Sequence, residues 1–149
     1  MNQPDPDFRK PNLFERILNG AFGTLVRFGL GLRHNYLLEV RGRKTDRVYS
    51  TPVDLLEFKE RRFLVAPRGR TQWVRNAEAA GEVALKRGFE RRRFRIRIVS
   101  NDEKPEILKE YLDRFKLTVQ RYFPLKAGSE SGPFVKIAER YPVFELFEL

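Results

Sequence analysis

The stretch YLLEVRGRKTDRVYSTPVDLLEF, Tyr36 to Phe58, sets two apolar runs on either side of a tight charged cluster, Gly42-Arg43-Lys44-Thr45-Asp46-Arg47. The spacing predicts a strand from Tyr36 to Arg41, a turn, and a second strand from about Val48 to Phe58. Glycine lets the backbone turn sharply and expose N–H groups to an anion. Arg43 offers a planar donor fork for phosphate or carboxylate, and Lys44 adds a mobile point charge. The turn therefore reads either as a solvated hairpin tip or as an anion cradle.

Downstream, RFLVAP predicts a third strand, Arg62 to Pro67, leading into a basic glycine loop, Arg68-Gly69-Arg70. TQWVRNAEAAG then predicts a helix capped by Thr71 and stopped by Gly81. Glycine, two arginines and a helix N-terminus converge there, which suits a phosphate. Trp73 and Asn76 stand three apart and share a helix face, where they could close one side of a pocket. Residues 82–100 read as a hairpin. In its second arm Phe94, Ile96 and Ile98 alternate with Arg93, Arg95 and Arg97, the period of a half-buried strand with one basic face. DEKPEILKEYLDRF predicts a helix with an acidic first turn. Residues 117–140 read as a short helix, a Gly/Ser loop and another short helix, and YPVFELFEL as a closing strand.

The chain begins with a polar, proline-rich arm, residues 1–11. A helix starts at Asn12 with an apolar face of Phe14, Ile17, Leu18, Phe22, Leu25 and Val26. That helix either caps the fold or lies on a membrane surface. The expectation is one domain, residues 12–149, mainly β (α+β). About six mostly antiparallel strands curl into a barrel with helices packed outside.

Composition narrows the chemistry. The 149 residues include no cysteine and one histidine, His34, so thiolate chemistry and a multi-histidine metal site are excluded. No secretory signal and no long uncharged apolar run appear, which points to the cytoplasm. The net charge is +10, and residues 41–100 hold 17 of the 30 basic but only 7 of the 20 acidic side chains. A basic middle predicts an anionic partner: a nucleic acid, a phosphorylated cofactor or an acidic membrane.

GRKTDRVYSTP, then LVAPRGRTQWVRNAEAAGEVALKRG, and finally PVFEL resemble the deazaflavin-dependent nitroreductase and quinone-reductase family. The resemblance covers roughly Tyr36 to Gly88 and the last strand. It implies a split β-barrel that binds reduced coenzyme F420, an 8-hydroxy-5-deazaflavin with a phosphodiester and a glutamate tail. By that resemblance Arg43 and Lys44 would hold the phosphate or tail carboxylates. Tyr49, Ser50, Thr51 and Pro52 would run beside the deazaflavin. Ala66, Pro67, Arg68, Gly69 and Arg70 form the loop that would present backbone N–H groups, other than at Pro67, and basic side chains to it, and Trp73 and Asn76 match the family's Trp-x-x-Asn. The chain departs from the family at Asp46, where glycine is frequent, at Tyr49, where arginine is frequent, and at Pro67-Arg68-Gly69-Arg70, which replaces Ser-Lys-Gly-Gly.

The implied reaction is hydride transfer to a quinone, a nitro compound or a similar electron-poor acceptor seated in an apolar slot. Tyr111 and Tyr122 are the candidate proton or hydrogen-bond donors there. The partners implied are an anionic cofactor and a small apolar acceptor, in a monomer or homodimer. Two other classes stay open: a non-catalytic split-barrel carrier of a flavin (FMN), haem or lipid, and a single-stranded nucleic-acid binder using the Arg91–Arg97 strand.

Overall fold

The period-two pattern of apolar residues becomes six strands. The computed structural model describes residues 34–149; the predicted arm and the helix from Asn12 lie outside the described residues. The strands are β1 (Asn35–Arg41), β2 (Val48–Phe58), β3 (Arg61–Val65), β4 (Glu82–Arg87), β5 (Glu90–Ile98) and β6 (Val143–Glu148). Two helices interrupt them, α1 (Gln72–Ala80) and α2 (Lys104–Val119). All strand pairs are antiparallel, and the order β1-β2-β3-β6-β5-β4 closes on itself as a barrel.

Alternation along each strand separates two apolar clusters. Leu38, Val40, Leu55, Leu64, Leu85, Phe94, Phe144 and Leu146 fill the barrel, joined by Val74 and Ala77 of α1. On the outer side, Leu56, Phe63, Val65 and Val143 pack against Leu108, Tyr111, Leu112 and Phe115 of α2. β3 is thus buried on both faces, which explains its unbroken Phe-Leu-Val run.

α2 extends four residues past the predicted end at Phe115. Phe115 itself leaves helical geometry (φ −112°, ψ 25°), so the chain kinks there rather than stopping. Between α2 and β6 the chain runs through three short 3₁₀ turns, Gln120–Tyr122, Gly132–Lys136 and Ala138–Arg140, where two short helices were expected. Lys104, buried at the start of α2, donates from Nζ to the Ala138 carbonyl (3.1 Å) and ties this segment to the helix.

The basic strand is neutralised by its neighbours. Arg91 pairs with Glu39, Arg92 with Glu148, Arg93 with Glu82, and Arg97 with Glu103 and Glu145. Arg95 lies over the Phe147 ring at 5.1 Å. Phe89 is fully exposed in the turn while Phe94 is inside the barrel. The basic face is therefore a lattice of ion pairs, unlike a phosphate-tracking groove.

Glu145 sits at the centre of that lattice. It is buried on the outer face of β6 and accepts from Arg61 Nε (2.7 Å) and Nη2 (2.9 Å) and from Arg97 Nη2 (2.7 Å). The Arg61 hydrogen bonds, helped by Arg97, hold its carboxyl down at about 2 against the opposing effect of burial. The unfolded chain binds this proton more readily, so the resulting stability is present above the ordinary glutamate range and lost as pH falls toward about 2. We expect Glu145→Gln to cost about 2 kcal/mol at neutral pH, the worth of charge-assisted bonds. Thermal unfolding should show the deficit as roughly 4–8 °C, shrinking below about pH 3. An unchanged melting temperature at neutral pH would contradict this account.

Candidate functional site

Where β1 turns into β2, the Gly42 amide donates to the Arg47 carbonyl at 2.6 Å and closes a tight loop. A side chain at Gly42 would not fit: an added Cβ would lie 2.7 Å from Tyr49 Cε2 and 2.9 Å from Thr45 Oγ1. Tyr49, standing where the resembled family often has arginine, uses its hydroxyl with Thr45 Oγ1 at 3.2 Å. Asp46 adopts φ +59°, left-handed backbone that explains why glycine is frequent there.

The turn is fastened to α1 by one side chain. Asn76, buried, accepts at Oδ1 from the Arg43 amide (3.1 Å) and from Arg43 Nη1 (2.7 Å). An amide acceptor fixes the guanidinium without cancelling its charge. Trp73, one turn earlier, packs edge-on against Phe144 at 5.8 Å, so it both roofs the barrel core and walls the adjoining space.

That space is a cleft of about 950 Å³ between the β1–β2 turn, β2, the β3–α1 loop and the end of α2. Arg43, Lys44, Tyr49, Ser50, Thr51, Pro52, Ala66, Pro67, Arg68, Gly69, Trp73 and Asn76 all line it. So do Tyr111 and Tyr122. Arg70 does not: its Nε donates to Glu78 Oε1 (2.9 Å) on the flank of α1.

The β3–α1 loop differs from expectation in a second way. The Ala66 amide bonds Pro142 O (2.9 Å) and the Gly69 amide bonds Ala66 O (3.2 Å), so neither N–H is offered to a ligand. Thr71 precedes α1 but makes no side-chain cap. Its hydroxyl is buried with no hydrogen-bond partner among the described residues and borders the cleft. Among the described residues, Lys44 and Arg68 line the cleft with no acidic partner, and Arg47 of the same turn has none either. The charge excess of the central sequence is thus left unneutralised chiefly around this cleft.

The far end of the cleft holds groups that the sequence reading passed over. On β2, Ser50, Pro52 and Asp54 share the face directed to α2. Asp54 accepts from Asn35 Nδ2 (2.5 Å), and its Oδ1 lies 3.4 Å from His34 Nε2; Thr118, whose hydroxyl donates to the Phe115 carbonyl, lies close by. Burial raises the Asp54 carboxyl above the ordinary range, opposed by His34, Asn35 and Thr118. Tyr111, 2% exposed, has its phenol pushed up by burial and then by Asp54 and Tyr122. The signal for Asp54 was present in TPVDLLEF: a carboxylate flanked by Val53, Leu55 and Leu56, on the same strand face as Leu56.

A closed antiparallel barrel with a cation-rimmed cleft beside one helix is a fold of the split-barrel class. Residues 8–122 match the family model of the F420H(2)-dependent quinone reductases, and the chain belongs to that family. No curated protein matches the chain. Among solved structures, it resembles an F420-H2 dependent reductase (FDR-A), with TM-score 0.52, 17% identity, and 77% of this chain and 95% of the other covered. The heme storage protein HutZ from Vibrio cholerae is similar at TM-score 0.54 and 15% identity, covering 79% and 83%. A protein described as a domain-swapped dimer gives 0.55 and 18%, covering 90% and 93%. At these identities the likeness is one of fold.

A carboxyl whose proton is held to higher pH when folded binds more protons in the native state. It therefore subtracts stability as pH rises through and above the ordinary carboxylate range. We expect Asp54→Asn to melt above the wild type near neutral pH (about pH 7), with the gap closing as pH falls toward about 4. A variant less stable than wild type at every pH would contradict the assignment of Asp54 as a desolvated carboxyl.

Proposed function

We propose that the chain is a coenzyme F420-dependent reductase that passes a hydride to an electron-poor acceptor of the quinone or nitro type. The observation that carries this reading is the set of cations around one cleft: Arg43 pinned by Asn76, with Lys44 and Arg68 unpaired. The residues fit such a group. The cleft volume of about 950 Å³ suits a large elongated ligand, the orphan Thr71 hydroxyl needs a partner, and the rim supplies positive charge for a phosphodiester and carboxylates. Family membership adds independent support.

When bound, the reduced deazaflavin supplies the hydride. The protein's part is to hold and orient. Arg43, Lys44 and Arg68 bind the anionic tail; Ser50, Thr51 and Pro52 offer the β2 edge; Trp73 walls one side. From the β1–β2 turn to Asp54 the β2 path spans about 20 Å at roughly 3.3 Å per residue, which separates a basic end from an end lined by Tyr111, Val119 and Tyr122. The second end is the slot for the acceptor. Burial keeps the Tyr111 phenol protonated, so it serves as a hydrogen-bond donor.

Coenzyme fluorescence, followed during titration of wild type, Arg43→Ala and Lys44→Ala, tests the reading, with FMN and haemin as controls. We expect saturable binding of the deazaflavin, weakened about five- to tenfold in each variant, or about 1 kcal/mol. Unchanged affinity in both variants would remove these residues from the site. Binding of FMN or haemin in place of the deazaflavin would transfer the cleft to a flavin or haem carrier.

A further inference from the structure

Asp54 sits where burial disfavours a charged carboxyl. It faces α2 from the middle of an apolar run, it is 14% exposed, and no lysine or arginine among the described residues approaches it. Among the described residues, the groups near it are His34 and Asn35 at the start of β1 and Tyr111 and Thr118 from α2, with Tyr122 lining the same cleft. His34 is the one basic group among them. Its ring packs on Phe115 at 4.6 Å while a third of its side chain stays exposed. A path therefore runs from solvent, through the imidazole, across 3.4 Å to Asp54 Oδ1, and into the cleft.

We propose that Asp54 is the proton donor to the acceptor and that His34 returns the proton from solvent. This rests on the reductase reading above and deepens it. A quinone carbonyl that receives a hydride equivalent becomes an oxyanion and needs one proton to leave as the hydroquinone. The Asp54 carboxyl gives that proton to the oxygen and is left as a carboxylate. The His34 imidazolium then reprotonates it through Nε2 and recovers its own proton from water. Two electrons and one proton arrive as hydride and one proton through Asp54, so the step balances. Asn35 orients the carboxyl, and burial favours its protonated form.

His34 is the only histidine in the chain, so its imidazole titration is read directly by proton NMR. We expect the His34 ring signals to report the ionisation of Asp54, 3.4 Å away, as a step that disappears in Asp54→Asn. Identical His34 profiles in wild type and Asp54→Asn would overturn the pairing. The second readout is single-turnover oxidation of the reduced coenzyme by menadione. Asp54→Asn should slow this step about a hundredfold or more. Its coenzyme affinity, measured by fluorescence, should match wild type. His34→Gln should slow it less and flatten its fall toward high pH. Wild-type rates in Asp54→Asn with the coenzyme bound would overturn this proposal while leaving the reductase reading intact. Failure of the wild type to bind the coenzyme would overturn both.

Discussion

The insertion of β6 between β3 and β5 is the constraint on which the rest of the structure depends. The last strand of the chain pairs Leu64 with Phe144 on one side and Ile98 with Phe144 on the other, turning an open sheet into a barrel. Closure removes two free edges and their unpaired backbone groups. It also brings Arg61 and Arg97 to either side of Glu145, so one buried carboxylate joins three strands. Pro142, just before β6, receives the Ala66 amide and fixes where β3 hands over to the glycine loop. The wall of the cleft is therefore set by a contact between the middle of the chain and its end.

A second contact converts this scaffold into a site. Asn76 holds both the backbone and the guanidinium of Arg43, so the β1–β2 turn cannot swing away from α1. Most of the arginines elsewhere are consumed by carboxylates on neighbouring strands. Among the described residues, Arg43, Lys44 and Arg68 line the cleft without an acidic partner, which concentrates positive charge there. At the opposite end the Asp54 carboxyl is retained against a desolvation cost, the pattern expected where function opposes stability.

Much of this was legible in the sequence. The alternation of Phe94 and Ile96 with arginine, the apolar run of β3 and the Gly42 turn predicted strands and a barrel because each is a local pattern. Nearly all the residues gathered by the resemblance line the cleft, because they lie on three short neighbouring segments. What stayed hidden was decided by partners distant in sequence. Arg70 looked like its neighbour Arg68, yet Glu78 claims it. Thr71 has the identity of a cap but makes none. Asp54 meets His34 and Thr118 only through the β1–β2 register and the docking of α2. Strand parity alone could not disclose that the arginines of β5 would be neutralised, since Glu39, Glu82, Glu145 and Glu148 come from three other strands.

The central claim is that the cations of the cleft rim hold the anionic tail of a deazaflavin coenzyme. Isothermal titration with whole coenzyme F420, beside its deazaflavin core lacking the phosphodiester and glutamates, tests this directly. We expect the whole coenzyme to bind at least tenfold more tightly at low salt, with the advantage shrinking as ionic strength rises. Equal affinity for the two, at any salt, would contradict the assignment of the rim.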